Sequence, residues 1–93
     1  MRDSPSTISI RLVYLARLRE AFERNGETLA MPAVSTPTVG TAIDALRARG
    51  GNFATELAIG RAVRFAVNHR VANRDHALAE GDELAIFPPV TGG

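Results

Sequence analysis

One stretch of this chain sets the problem that the rest must solve. In TVGTAIDALRARG, Val39, Ala42, Ile43 and Leu46 recur at i, i+3, i+4 and i+7, Thr38 stands where a helix cap belongs, and Gly50-Gly51 supplies a stop. A helix of that kind carries one apolar stripe and must bury it. The flanking sequence offers mainly short β runs. TISIRLVYL (Thr7 to Leu15) is rich in β-branched residues and alternates, with Ile8, Ile10, Leu12 and Tyr14 on one side. Glu27 to Met31 reads as a second strand, and Pro32 to Pro37 as a loop. Arg61 to Asn73 gives two β runs about an Asn68-His69 turn, and Glu80 to Phe87 a Gly-Asp turn with a closing strand.

Two lesser helical signals complete the pattern. Leu18, Ala21 and Phe22 have helical spacing before the turn pair Asn25-Gly26, and Phe53 and Leu57 lie four apart in NFATELAIG. The order predicts a two-layer α+β unit, one main helix across one face of a small mixed sheet, with the first and last strands free to pair centrally.

Ninety-three residues suffice for one domain and bury only a modest core. No apolar run approaches a membrane span, and MRDSPST is too polar for a signal peptide, so a cytoplasmic chain without membrane partners is expected. Formal charge is +1 with the signs interspersed, which gives no reason to expect nucleic acid as a partner. Cysteine is absent, so there is no thiolate nucleophile, and any sulfur chemistry needs sulfur brought from outside. All 11 basic residues are arginine. Codon bias accounts for that, unless a reactive acyl group makes side-chain amines costly.

No pattern suggests a free-standing enzyme. His69 and His76 have no third ligand nearby, so no metal site is expected. Asp82 and Glu83 look like a carboxylate pair but suit the turn before the last strand. Arg47 and Arg49 are expected on the solvated side of the helix. Arg61, Arg64 and Arg70 are candidates for the rim of a partner interface. Phe65, Val67 and Phe87 are candidates for either a docking face or the core, and alternation alone does not separate the two.

The chain closes on FPPVTGG. Together with RLVYLARLRE, TVGTAIDALRARG, FAVNHRVAN and LAEGDELAIFPPVTGG, this ending resembles the MoaD family of ubiquitin-like sulfur carriers, the small subunits of molybdopterin synthase. The resemblance covers the chain from about Ser9 to Gly93. It implies a β-grasp domain over 8–87, a flexible N-terminal extension over 1–7 and an extended functional tail over 88–93. It further implies that a ubiquitin-activating-type adenylyltransferase uses ATP to adenylate the Gly93 carboxylate, and that a persulfide donor converts it to a thiocarboxylate. The large subunit of molybdopterin synthase, in a heterotetramer of two small and two large subunits, would then use that sulfur to build the dithiolene of molybdopterin from the cyclic pyranopterin precursor. On this reading the chain is non-catalytic by itself and holds no tightly bound cofactor. Gly-Gly alone also fits a carrier for thiamine or tRNA thiolation, a protein modifier, or a β-grasp binding module with an inert tail.

The chemistry of the tail suits the implied use. An α-carboxylate, with an ordinary pKa of roughly 3.3 to 3.7, is anionic at neutral pH and attacks an α-phosphate without side-chain help. Pro88 and Pro89 fix φ, lack N–H donors and stop the strand. From Pro88 to Gly93 the chain reaches at most about 20 Å, enough to enter a partner's active site. Gly92 and Gly93 admit a narrow tunnel, Val90 offers an apolar anchor and Thr91 a polar contact.

Overall fold

Alternation in the first strand becomes a two-sided ribbon. In the computed structural model, which describes residues 7–33 and 35–89, β1 (Thr7–Tyr14) buries Ile10, Leu12 and Tyr14 on one side, with Ile8 partly covered. A short α1 (Arg17–Phe22) buries Leu18 and Phe22, and the chain returns as β2 (Gly26–Pro32), antiparallel to β1. Asn25-Gly26 is more than a flexible turn. A Cβ on Gly26 would lie 2.1 Å from the Leu12 carbonyl oxygen, so the close approach of the two backbones demands glycine.

The amphipathic helix forms where its cap predicts. α2 (Val39–Arg47) opens with a reciprocal box, in which the Thr41 N–H donates to Thr38 Oγ1 and the Thr38 N–H donates to Thr41 Oγ1, each at 3.2 Å. The next free amides, of Val39 and Gly40, donate to the carbonyls of His76 and Arg74 at 3.0 and 2.9 Å, which ties the helix start to the loop before the last strand. Its C-terminus falls short of the expected Gly50-Gly51 stop. The helix ends at Arg47, the Ala48 amide makes the last regular bond to the Asp44 carbonyl at 3.1 Å, and the Arg49 and Gly50 amides reach back only to Leu46 and Arg47. Gly50 and Gly51, both at positive φ, then reverse the chain into α3 (Gly51–Glu56).

β3 (Arg64–Val67) and β4 (Arg70–Ala72) form a hairpin about Asn68 and His69, both at positive φ, and β5 (Glu83–Phe87) closes the sheet. Strand order is β2-β1-β5-β3-β4, with β1 and β5 parallel at its centre and all other pairs antiparallel. This is the ubiquitin-like β-grasp arrangement. One sheet face, carrying Leu12, Met31, Val67, Leu84 and Ile86, packs with Val39, Ala42, Ile43 and Leu46 of α2 into a single core. Thr7, the last residue assigned to the extension, pairs with Pro32 inside the sheet. No helix among the described residues is long and apolar enough to cross a membrane.

Candidate functional site: the strand exit and the open sheet face

Central placement of β5 decides where the tail leaves. Phe87, its last residue, lies opposite Arg64 of β3, while the Leu15 amide donates to the Ile86 carbonyl at 3.2 Å on the other flank. Pro88 and Pro89 follow, half-buried and outside any strand, so the chain departs from the middle of one sheet end. The remaining expected site residues, Val90, Thr91, Gly92 and Gly93, lie outside the described residues.

Registers separate the three apolar candidates. Val67 and Phe65 pair with Leu84 and Ile86 and face the helices with them, Val67 buried and Phe65 packed against the core. Phe87 alternates with Ile86 and belongs to the opposite, open face. There, Val13, Ala85, Ala66 and Val71 stand in cross-strand register, one from each of four strands, and form an apolar row beside Phe87. Val71 is 76% exposed. Sequence reasoning missed this row; its signal was the set of residues alternating with the buried ones, two of them alanines that keep the face flat.

A polar corner closes the far end of the row. Asp82 accepts from the Ala79 amide at 2.8 Å and from Asn68 Nδ2 at 3.0 Å, the Glu83 amide donates to Asn68 Oδ1 at 3.0 Å, and His69 Nε2 lies 3.1 Å from Glu83 Oε2. Asp82 and Glu83 thus hold the turn. Among the described residues, no group of three or more His, Asp or Glu side chains is placed to hold a metal ion.

Arg49 departs from expectation. Instead of lining a solvated helix side, it lies beyond α2 and donates to Glu27 on β2, because the early end of the helix swings it toward the edge strand. Arg47 bonds Asp44 at 2.9 Å and Arg61 bonds Glu56 at 2.9 Å; Arg64 flanks Phe87, and Arg70 is exposed on β4. Several groups have shifted proton affinity. Burial and then the Glu27 hydrogen bond push the Tyr14 phenol upward. Burial alone would raise Glu27, but hydrogen bonds from Arg49 and Tyr14 outweigh it and hold the carboxyl below its ordinary value. The hydrogen bond from Arg17 lowers Glu56, and that from Arg49 to Glu27 raises Arg49. These groups sit in the helix-bearing layer and not along the apolar row. The open face is therefore the side of the sheet that carries an apolar row free of these charged groups.

Known proteins agree on the kind of molecule. The sequence profile of the ThiS family matches residues 12–93. The molybdopterin synthase sulfur carrier subunit of Escherichia coli is 36% identical over 84 residues, covering 90% of this chain and 99% of that protein. SAMP1 from Haloferax volcanii is 30% identical in sequence with a TM-score of 0.70, covering 91% of this chain and 99% of that one. Subunits 1 and 2 of the molybdopterin-converting factor from Helicobacter pylori have been solved as a complex. The matching chain there covers 92% of this chain and 100% of its own length, at 18% identity and a TM-score of 0.58, a likeness of fold.

Proposed function

The chain belongs to the ThiS family, and from that premise we propose that it is the sulfur carrier subunit of a molybdopterin synthase, non-catalytic by itself, whose chemistry resides at Gly93. The observation that carries this reading is its 36% identity to the Escherichia coli carrier subunit over nearly the whole of both chains. The strand exit supports it. β5 delivers FPPVTGG from the sheet centre, beside the apolar row, so one partner surface can hold the face and receive the tail together.

In this mechanism the Gly93 carboxylate attacks the α-phosphorus of ATP on an activating enzyme and pyrophosphate leaves. The outer sulfur of a persulfide donor then attacks the acyl carbon as AMP departs, and a partner's thiol cleaves the resulting acyl disulfide, leaving the thiocarboxylate on Gly93 and a disulfide between that thiol and the donor. Adenylation supplies the leaving group that a carboxylate lacks. Sulfur is carried on a main-chain acyl carbon, which suits a chain without cysteine. The large subunit then takes the sulfur into the pterin precursor. The partner supplies the catalytic groups, and this chain supplies reach and orientation.

Likeness to SAMP1, a small archaeal modifier protein, favours one second reading: transfer of the activated Gly93 acyl group to an amine of another protein. Mass spectrometry of the chain produced with its activating enzyme separates the two. Replacement of one oxygen by sulfur on the C-terminal peptide is expected. An isopeptide remnant from Gly93 on other proteins, with no sulfur on the free chain, would replace the carrier reading with the modifier one.

A further inference from the structure

Away from the open face, on the helix-bearing side of the sheet, lies a second concave surface. α2, α3, the 57–63 connection and the start of β3 enclose a groove of ≈ 990 Å3. Ile43 and Leu57 are buried at its floor, Val63 and Phe65 form an apolar wall, and Ile59 is 86% exposed. A side chain as large as isoleucine so far out of the core leaves apolar area in water that a partner would cover, at about 25 cal/mol per Å2. Ile59 is the most exposed large apolar side chain among the described residues, and it lies on the rim of this groove.

Charge identifies the occupant. The groove is lined by three guanidinium groups, Arg47, Arg61 and Arg74, against one carboxylate, Asp44. Asp44 Oδ1 is shared between Arg47 at 2.9 Å and Arg74 at 3.4 Å, and Arg61 bonds Glu56 at 2.9 Å, so most of the donors on each fork stay free for carboxylates from outside. We propose that this groove docks an acidic amphipathic segment of a protein partner, apolar side chains entering against Leu57, Val63 and Phe65 and carboxylates meeting Arg61 and Arg74. A second copy of this chain fits poorly, since a self-complementary contact sets the same three arginines against one another. Nucleic acid fits poorly too, because Phe65 is the one aromatic side chain lining the groove and stacked bases need a platform.

This site stands apart from the sulfur-carrier reading. It lies on the other layer from the apolar row and does not require Gly93, so a partner here can be held while the open face is occupied. Engagement of that kind keeps a small carrier near a larger assembly during exchange of its main partner.

The test uses the full chain and a fluorescent synthetic peptide with leucine and glutamate in helical alternation. Saturable binding is expected, weakened about tenfold or more by Ile59→Ser and by Arg61→Glu, and lost when lysine replaces glutamate in the peptide. Ile59 is exposed, so its variant keeps the native circular dichroism and melting curve. Amide shifts should map to Ile59, Gly60, Arg61, Val63 and Arg74, and an alanine added after Gly93 should leave affinity unchanged. Absence of binding, equal affinity in the Ile59→Ser variant, shifts confined to Val13, Ala66, Ala85 and Val71, displacement by a single-stranded oligonucleotide, or a dimer in sedimentation that Ile59→Ser dissolves would each overturn the proposal.

Discussion

Arg49 donates two hydrogen bonds to the Glu27 carboxylate, Nη1 to Oε2 at 2.8 Å and Nη2 to Oε1 at 3.0 Å, and so joins the segment after α2 to the edge strand β2. The Tyr14 hydroxyl donates to the same Oε2 at 2.5 Å, and Arg24 approaches Oε1 at 3.2 Å. Arg49 also lies over the Phe53 ring, 4.9 Å from its centroid, and Phe53 stacks on Phe22 at 4.2 Å. One carboxylate, 16% exposed, thereby fastens β1, β2, the end of α2 and α3 at a corner that α3, with none of its own residues buried, could not hold alone.

Replacing Arg49 by alanine leaves Glu27 half-paired in a largely covered position and removes the cap over Phe53. A loss of about 1–3 kcal/mol is expected, read as a lower denaturation midpoint at an unchanged m-value. The pH dependence follows from the lowered Glu27. A carboxyl whose folded pKa lies below its unfolded one contributes stability that is present above the unfolded pKa and fades as pH falls through the folded one. Glu56, lowered chiefly by Arg17, acts in the same direction. Melting temperature should therefore fall on acidification through the carboxylate range, and Glu27→Gln should flatten that acid limb. An equally steep limb in the variant would assign the effect elsewhere.

None of this clasp was legible in the sequence. Glu27 and Arg49 belong to no shared period, and what brings them together is the register of β1 on β2 and the short stop of α2 before Gly50. The elements themselves were legible because each reports locally: alternation in Ile8 to Tyr14, the Thr38 cap, the Val39-to-Leu46 stripe, and the Asn68-His69 turn. Their faces were legible only in part. Alternation shows that Phe87 and Ile86 point oppositely, but which faces the helix depends on the neighbour β5 takes, and the row from Val13 to Val71 exists only once four registers are set. The chain end was conspicuous in sequence for a different reason, since FPPVTGG is a covalent and conformational signal that needs no packing to be read.

The α2 stripe gives a graded test of the core. Leu46 is 0% exposed and Ile43 2%, but Ile43 also borders the groove floor, where water can enter the space a truncation leaves. Leu46→Ala should cost about 2–5 kcal/mol, near the upper half of that range, and Ile43→Ala nearer the lower. For a domain of this size the former lowers Tm by roughly 10 °C or more. A reversed order would place the covered side of α2 elsewhere.

The apolar row should matter to assembly rather than to folding. Val71→Asp puts a carboxylate on a side chain that is already largely in water, so Tm should move little. Assembly with the large subunit should weaken about tenfold or more by calorimetry, because the charge must be desolvated against an apolar partner face. Arg70→Gln, at the exposed edge of β4, should change affinity much less. Equal effects of the two would remove the open face from the interface.

The sharpest separation of fold from function lies at the chain end. Among the described residues the last buried core side chain is Ile86, and the main helix, the clasp and all five strands are complete by Phe87. Deleting Gly92 and Gly93, or adding one alanine after Gly93, removes nothing from that core, so Tm should stay nearly unchanged. Sulfur transfer should nonetheless be abolished in both. Deletion shortens the reach by about 7 Å on extended-chain geometry, and the added residue places a methyl group and a displaced carboxylate where the adenylate must form. Leu46→Ala should give the converse result, a lowered Tm with normal transfer from the fraction that stays folded. Each protein is measured for melting and for dithiolene formation with purified large subunit and activating enzyme. A tail-altered chain that converts precursor at the normal rate would overturn the assignment of the chemistry to Gly93.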